Sequence, residues 1–379
     1  MTREKHTAEM NKLIKKIKRI MSIIPYGFIG GNYGKVLKYV DQAEQQLKHF
    51  QGDLPEEIKA FHTSWLWYKT VIYAYMGNLA RNFKAANKLL AVGQLYDQQR
   101  GISDGKFELG RYYWLFGDLD NALVHLDSAI KLSEENLNGL MDFIKLAGQL
   151  WVAIRVSIDN EDIERAKRYF KRLEEIMKLK ASETYINGPY RLAKAFLLKT
   201  SMRFRDRVMA EDLLREVMAE GSSLFMHKLR AVSALCELLL VELKLSNDIT
   251  IITEIKPLLE KLIEMAQQSG LYYYLIDALI MHGKLALITF DMESSRRYLK
   301  QAQQLAEKYG YIGLADEIAG IHETMMEKKD IWEQMKKRNA PLSERMDLAR
   351  LDDHLKGKFL RLIMKMERVA DSPPKKDVF

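Results

Sequence analysis

The chain of 379 residues is short of several things. It has one cysteine, Cys236, which excludes a disulfide framework and any multi-cysteine zinc site. Seven prolines and 21 glycines are too few to supply the turns of an all-β protein of this length. No apolar run approaches the roughly eighteen residues of a membrane-spanning helix. The most apolar stretch, Leu235 to Leu243, is interrupted by Glu237 and Glu242. The basic N-terminus lacks the continuous apolar segment and small-residue cleavage site of a secretory signal. No oxidising compartment is required, so a cytoplasmic location is expected.

What is present is a globular balance, 47% hydrophobic and 29% charged, with a net charge of +8. The excess sits at the ends. Residues 1–24 carry +5 and residues 354–379 carry +4, leaving −1 for the body. A nearly neutral body is unlike a surface that coats nucleic acid. No helix-turn-helix, zinc-finger or RNA-binding motif is present, and specific nucleic-acid binding is not expected.

Apolar residues recur at steps of three and four, as in Leu119, Ala122, Leu126, Ala129 and Ile130, and short breakers such as Gly117-Asp118 and Gly188-Pro189 separate the runs. No segment sustains period-two alternation. The fold class is all-α. Within residues 103–136, Leu109, Gly110, Tyr113, Gly117, Ala122, Leu126 and Ala129 stand at the spacing of a helix-pair repeat. Gly110 and Ala122 are small where two antiparallel helices cross, Gly117 ends the first helix, and Leu126 and Ala129 face the next unit. The small residue of the second helix recurs as Ala43, Ala86, Ala122, Ala166 and Ala210, with Ile255 and Ser295 in equivalent registers. Gly283 precedes Ser295 as Gly110 precedes Ala122.

These positions resemble the tetratricopeptide repeat, with Lys106 where that family favours Trp. The stretches 190–217, 285–311 and 340–351 are similar to those of large archaeal tetratricopeptide-repeat proteins. The resemblance implies a right-handed α-solenoid of about six helix pairs, over residues 1–310, in which 1–54 form an irregular N-terminal pair. It implies a scaffold and no reaction.

Residues 311–370 read as two long helical runs, 311–338 and 342–369, reversed at Pro341. Residues 371–379 form a flexible tail. The hairpin either caps the solenoid or serves as a docking or homodimer helix through Leu348, Leu351, Leu355, Phe359, Leu362 and Met366. At the other end, Met10, Leu13, Ile14, Ile17, Met21 and Ile24 form a stripe on a helix rich in lysine. Such a helix packs as an ordinary first helix or rests on an anionic membrane.

A search for chemistry finds little. The eight histidines are scattered without metal-ligand spacing, and Cys236 lies in an apolar helix as a small core residue. The loop GFIGGNYG follows a helix and has neither nucleotide-loop pattern, so it reads as a flexible connection. No enzyme activity, cofactor or metal is expected.

One column stands out. Eleven residues before each small residue lie Arg111, Arg155, Lys199, Lys244 and Lys284, all basic. In tetratricopeptide arrays this place faces the concave groove, so the resemblance implies a cationic ladder for an acidic peptide or protein partner. Trp114 and Trp151 stand one turn from Arg111 and Arg155, as aromatic anchors or as core. The family's carboxylate clamp also needs paired asparagines, and Tyr75 occupies the column in the preceding unit, so chaperone-tail binding is not implied. The expected function is a non-enzymatic interaction scaffold. The alternative is a regulatory or sensor module acting with a separate effector or nucleic-acid-associated partner.

Overall fold

The computed structural model describes residues 3–48, 54–180, 183–201, 203–221, 224–309 and 312–349, and every regular element among them is a helix. The chain opens with α1 (Arg3–Met21), α2 (Ile24–Ile29) and α3 (Tyr33–Lys48). Six pairs follow: α4 (Glu56–Tyr75) with α5 (Leu79–Leu95), α6 (Gln99–Phe116) with α7 (Leu119–Glu135), and α8 (Leu140–Asp159) with α9 (Ile163–Leu179). The fourth to sixth are α10 (Thr184–Lys199) with α11 (Phe204–Ala219), α12 (Phe225–Ser246) with α13 (Ile251–Ser269), and α14 (Tyr272–Ile288) with α15 (Met292–Tyr309). Each helix packs on its partner and each pair on the next. This is the expected all-α array of helix pairs, in which every unit buries its apolar face on a neighbour.

The register read from the sequence is the register of the fold. Ala43, Ala86, Ala122, Ala166, Ala210, Ile255 and Ser295 fall one each on α3, α5, α7, α9, α11, α13 and α15, and all are fully buried. A Cβ added to Gly110 would stand 2.8 Å from Leu126 Cγ and 3.1 Å from the Ala122 carbonyl oxygen. One added to Gly283 would stand 2.8 Å from Leu299 Cγ. Both glycines therefore let the two helices of a pair approach.

The turn inside the pair is repeated as well. Gly77, Gly117, Glu161 and Phe290 all have positive φ, of 70°, 98°, 57° and 60°. Each is followed by Asn78, Asp118, Asp162 or Asp291, whose side chain accepts the backbone N–H of the residue three further on. The left-handed residue stops the first helix and the Asx residue caps the second. Glutamate and phenylalanine at two of these left-handed positions hide the repeat from a reading based on glycine.

At the N-terminus Leu13 and Ile17 are buried and Lys12, Lys15, Lys16, Lys18 and Arg19 are exposed, so the stripe of α1 packs within the fold, against α3 and α4. The loop GFIGGNYG is not the flexible connection expected. Ile24–Ile29 form α2, and Gly31 is buried with φ 76°. A Cβ at Gly31 would lie 2.8 Å from the Phe225 ring and 2.9 Å from Ser269 Oγ, and the Tyr33 and Phe225 ring centroids are 6.3 Å apart. Phe225 opens α12 and Ser269 ends α13. The array therefore curves until its first helices meet the fifth pair.

After the sixth pair come α16 (Ile312–Glu327), α17 (Lys329–Lys337) and α18 (Leu342–Leu348). The single run expected over 311–338 is broken at Lys328, and α17 turns Trp332 and Met335 into the core. Beyond Pro341 the chain folds back. Arg345 donates to the carbonyl oxygens of Ala340 (2.7 Å) and Ile288 (3.4 Å), and its guanidinium lies 4.6 Å from the Phe290 ring centroid. It thus meets the last carbonyl of α14 with a cation, as a helix C-terminus favours. Leu348 is half-buried against the core. Leu351, Leu355, Phe359, Leu362 and Met366, with the tail 371–379, lie outside the described residues.

Candidate functional site

Five first helices, α4, α6, α8, α10 and α12, together with Phe28 of α2, surround a cavity of about 230 Å³. Much of its wall is aromatic: Trp67, Tyr68 and Tyr75 from α4, Phe107 from α6 and Trp151 from α8. Phe28 reaches in from outside the pairs, with its ring centroid 5.1 Å from that of Tyr68 and 5.6 Å from that of Trp67. The position of α2, fixed by the contact of Gly31 with α12 and α13, thereby shapes the wall.

Four cations line the cavity, Arg100, Arg111, Lys145 and Arg230, with one carboxylate, Asp104. Behind the wall lies Glu108, fully buried, which accepts from Nη1 of Arg111 at 3.1 and 3.3 Å. Burial pushes the Glu108 carboxyl up to about 7, although Arg111 and the Trp67 indole pull the other way. Asp104 and Lys145 pair at 2.6 Å, and burial moves Asp104 up and Lys145 down. His227 is pushed down to about 3, first by burial and then by the charge of Arg230, and so is neutral near pH 7. The Tyr75 ring is shared by two cations, with Arg111 at 4.9 Å and Arg230 at 5.6 Å from its centroid.

The pH dependence follows from Glu108. Its folded pKa near 7 lies above the ordinary carboxylate value of 4.5, so between these the folded protein holds a proton that the unfolded chain releases. Stability from this group is therefore complete below about pH 4.5 and lost as pH rises through 7. Glu108→Gln is expected to flatten the fall in urea stability between pH 5 and 8 by about 3 kcal/mol. Parallel titrations of the two proteins check this. His227 works with the opposite sign: its pKa is depressed, so its contribution is lost as pH falls from 6.5 toward 3.

Of the seven residues singled out in the sequence, Arg111 and Trp151 line the cavity. The next turn holds a charge-balanced cluster. Arg155 and Lys199 lie 4.1 and 5.0 Å from the Phe196 ring centroid and pair with Asp159 (3.1 Å) and Glu237 (2.8 Å). Trp114, buried in the core, donates from Nε1 to Asp159 Oδ2 at 2.8 Å. Lys244 is exposed on the last turn of α12, and Lys284 is buried within α14. The five cations thus occupy the expected helices without sharing one exposed line. Curvature of the array turns the same register toward the cavity in α6 and toward a neighbouring helix in α8 and α10.

The column also missed Arg100, Lys145, Arg230, Asp104 and Glu108. For Arg100, Asp104 and Glu108 the sequence signal is the charge run at 100, 104, 108 and 111, which at helical spacing falls on one face of α6. Among the described residues no group of three or more His, Cys, Asp or Glu could hold a metal, and Cys236 is buried. What the site offers is a basic hole with aromatic walls. No described helix is long and apolar enough to cross a membrane.

No protein-family model matches the chain, and no curated protein matches its sequence. Among solved structures it is similar to a Rap protein complexed with Competence and Sporulation Factor, with a TM-score of 0.53 and 15% identity over 78% of this chain and 76% of that one. A circular tandem repeat protein with a novel repeat topology aligns over 96% and 99% of the two chains at 14% identity, with a TM-score of 0.23, too low to bear on the fold. At 15% identity, the likeness to the Rap protein is a likeness of fold: an all-α array of sequential helix pairs.

Proposed function

We propose that this protein is a scaffold that holds a short acidic peptide segment, extended, in the cavity bounded by α4, α6, α8, α10 and α12. The observation that carries the reading is the composition of that cavity, where aromatic walls meet four cations and one carboxylate. Aromatic rings offer contact area at low entropic cost, and surplus guanidinium groups select an anion. The length follows from α6. Arg100 and Arg111 are eleven residues apart on one helix, about 16 Å at 1.5 Å per residue. An extended chain rising about 3.3 Å per residue spans that distance with about five residues. The fold supports the reading too, since the similar Rap protein is itself complexed with a factor.

Gly148 provides the test. It lines the cavity from α8, and a Cβ there would meet nothing within 4 Å. Gly148→Trp should therefore fill the cavity while gaining helix propensity. The variant is expected to melt no lower than the wild type and to lose at least tenfold in retention of peptides from an acidic pentapeptide library, read by mass spectrometry. Equal retention by both proteins would refute the cavity as the binding place.

A further inference from the structure

We infer that Arg230 anchors one carboxylate of the bound segment and so sets the direction in which the segment lies. The inference rests on the peptide-binding reading above. It comes from asking which of the four lining cations still lacks a counter-charge. Arg111 is answered by both oxygens of Glu108. Lys145 is answered by Asp104 at 2.6 Å. Arg100 is exposed, where water screens it.

Arg230 fits none of these descriptions. It is half-buried, and among the described residues no carboxylate lies within ion-pair distance of it. Its neighbours are the rings of Tyr75, at 5.6 Å, and Trp151, at 6.0 Å. The other two groups that feel its charge are His227, which is neutral, and the phenol of Tyr33, which burial keeps protonated. Rings attract a guanidinium through their quadrupole but carry no formal charge, so the cation stays uncompensated in a partly dry place. A carboxylate accepting two parallel N–H bonds from the planar fork supplies what is missing. Arg111 stands over the same Tyr75 ring, 4.9 Å from its centroid, with Glu108 as its own partner, which leaves Arg230 as the cation on this ring open to an incoming carboxylate.

Direction follows from position. Arg230 shares Tyr75 with Arg111, three turns along α6 from Arg100. A segment anchored at Arg230 then runs back past Phe107 toward the exposed end at Arg100. The carboxylate is either the C-terminal group of the segment or an Asp or Glu side chain, and the experiment separates the two.

Three equimolar pentapeptide libraries serve as probes. One has free C-terminal carboxylates and no Asp or Glu; one is C-terminally amidated with a single Asp or Glu; one is amidated and carries no acid. Affinity selection on the immobilised full chain is expected to enrich the first or the second at least tenfold over the third, and the enriched arm names the source. Arg230→Met should abolish that preference. Arg230→Lys, which keeps the charge without the fork, should cut it at least threefold at an unchanged melting temperature, and Lys244→Met, on the exposed last turn of the same helix, should leave it intact. If the neutral library is retained as well as the acidic ones, or if Arg230→Lys and Arg230→Met keep the full preference, the anchor is overturned and the scaffold reading stands. If no pentapeptide is retained in any arm, both are overturned.

Discussion

Replacing Gly105 with alanine is expected to destabilise the protein by about 2–3 kcal/mol, and replacing it with valine by more. Intrinsic propensity points the other way, since a helical glycine gives up about 1 kcal/mol relative to alanine. The packing decides the sign. A Cβ at Gly105 would lie 2.6 Å from Leu90 Cα and 2.7 Å from the Leu90 backbone nitrogen, distances that no rotamer change relieves because the obstacle is main chain. A second close approach nearby has the same character, with a Cβ at Gly93 falling 2.7 Å from the carbonyl carbon of Gly101. The axes of α5 and α6 are thus set by glycines, and any side chain between them must push the helices apart. Because α6 carries Arg100, Asp104 and Arg111, the displacement reaches the cavity wall. Urea midpoints followed by circular dichroism measure the cost. A midpoint equal to or above that of the wild type would show that the α5–α6 seam yields.

Reversing the charge at Arg155 should cost about 3–5 kcal/mol, the usual penalty for leaving one member of a buried pair alone. The Arg155 side chain is 15% exposed, as is that of Asp159. Burial already raises the Asp159 carboxyl, and the charge of Arg155 and the indole of Trp114 work against that rise. In Arg155→Glu a second carboxylate would replace the cation one turn from Asp159, on the Phe196 ring and near Glu237. The loss should shrink as pH falls, because protonating Asp159 removes the repulsion, whereas Lys244→Glu, on exposed surface, should change stability by less than about 0.5 kcal/mol. Denaturation of both variants at pH 5 and pH 8 tests the pair. A stable Arg155→Glu at pH 8 would show that the cluster around Phe196 is not what holds these helices in register. Charge reversal in this column therefore reports on folding before it reports on binding.

The sequence was most informative where the same physical demand repeats. Close crossing of paired helices requires a small or compact residue once per unit, and that demand alone located α3 and the second helix of each of the six pairs, through Ala43 to Ser295. The turn was harder to see, because Glu161 and Phe290 take the left-handed conformation without being glycine. The site was legible only in part. Arg111 and Trp151 were reached by counting along a repeat, and counting works while every unit faces the same way. Arg230 enters the cavity through the long-range curvature of the array, which no local spacing encodes. Glu108 and Asp104 belong to an ordinary-looking charged face of α6, whose burial depends on α4 and α8 packing over it. The glycine loop near residue 30 misled for a similar reason. Its fit against Phe225 and Ser269 is a contact between segments some two hundred residues apart in the chain.

That contact also changes the kind of polymer this protein is. An open solenoid behaves as a one-dimensional chain, in which each unit feels only its neighbours and the ends fray at little cost. Joining residue 31 to α12 and α13 turns the line into a loop. Opening α3 now also removes a support of α12, so fraying from the N-terminus carries a penalty felt at the fifth pair. Forming the contact requires ordering most of the intervening units first, which raises the contact order and places closure late in folding. In a nearest-neighbour description of the array, this is one added coupling between sites near opposite ends, and it makes melting more nearly all-or-none.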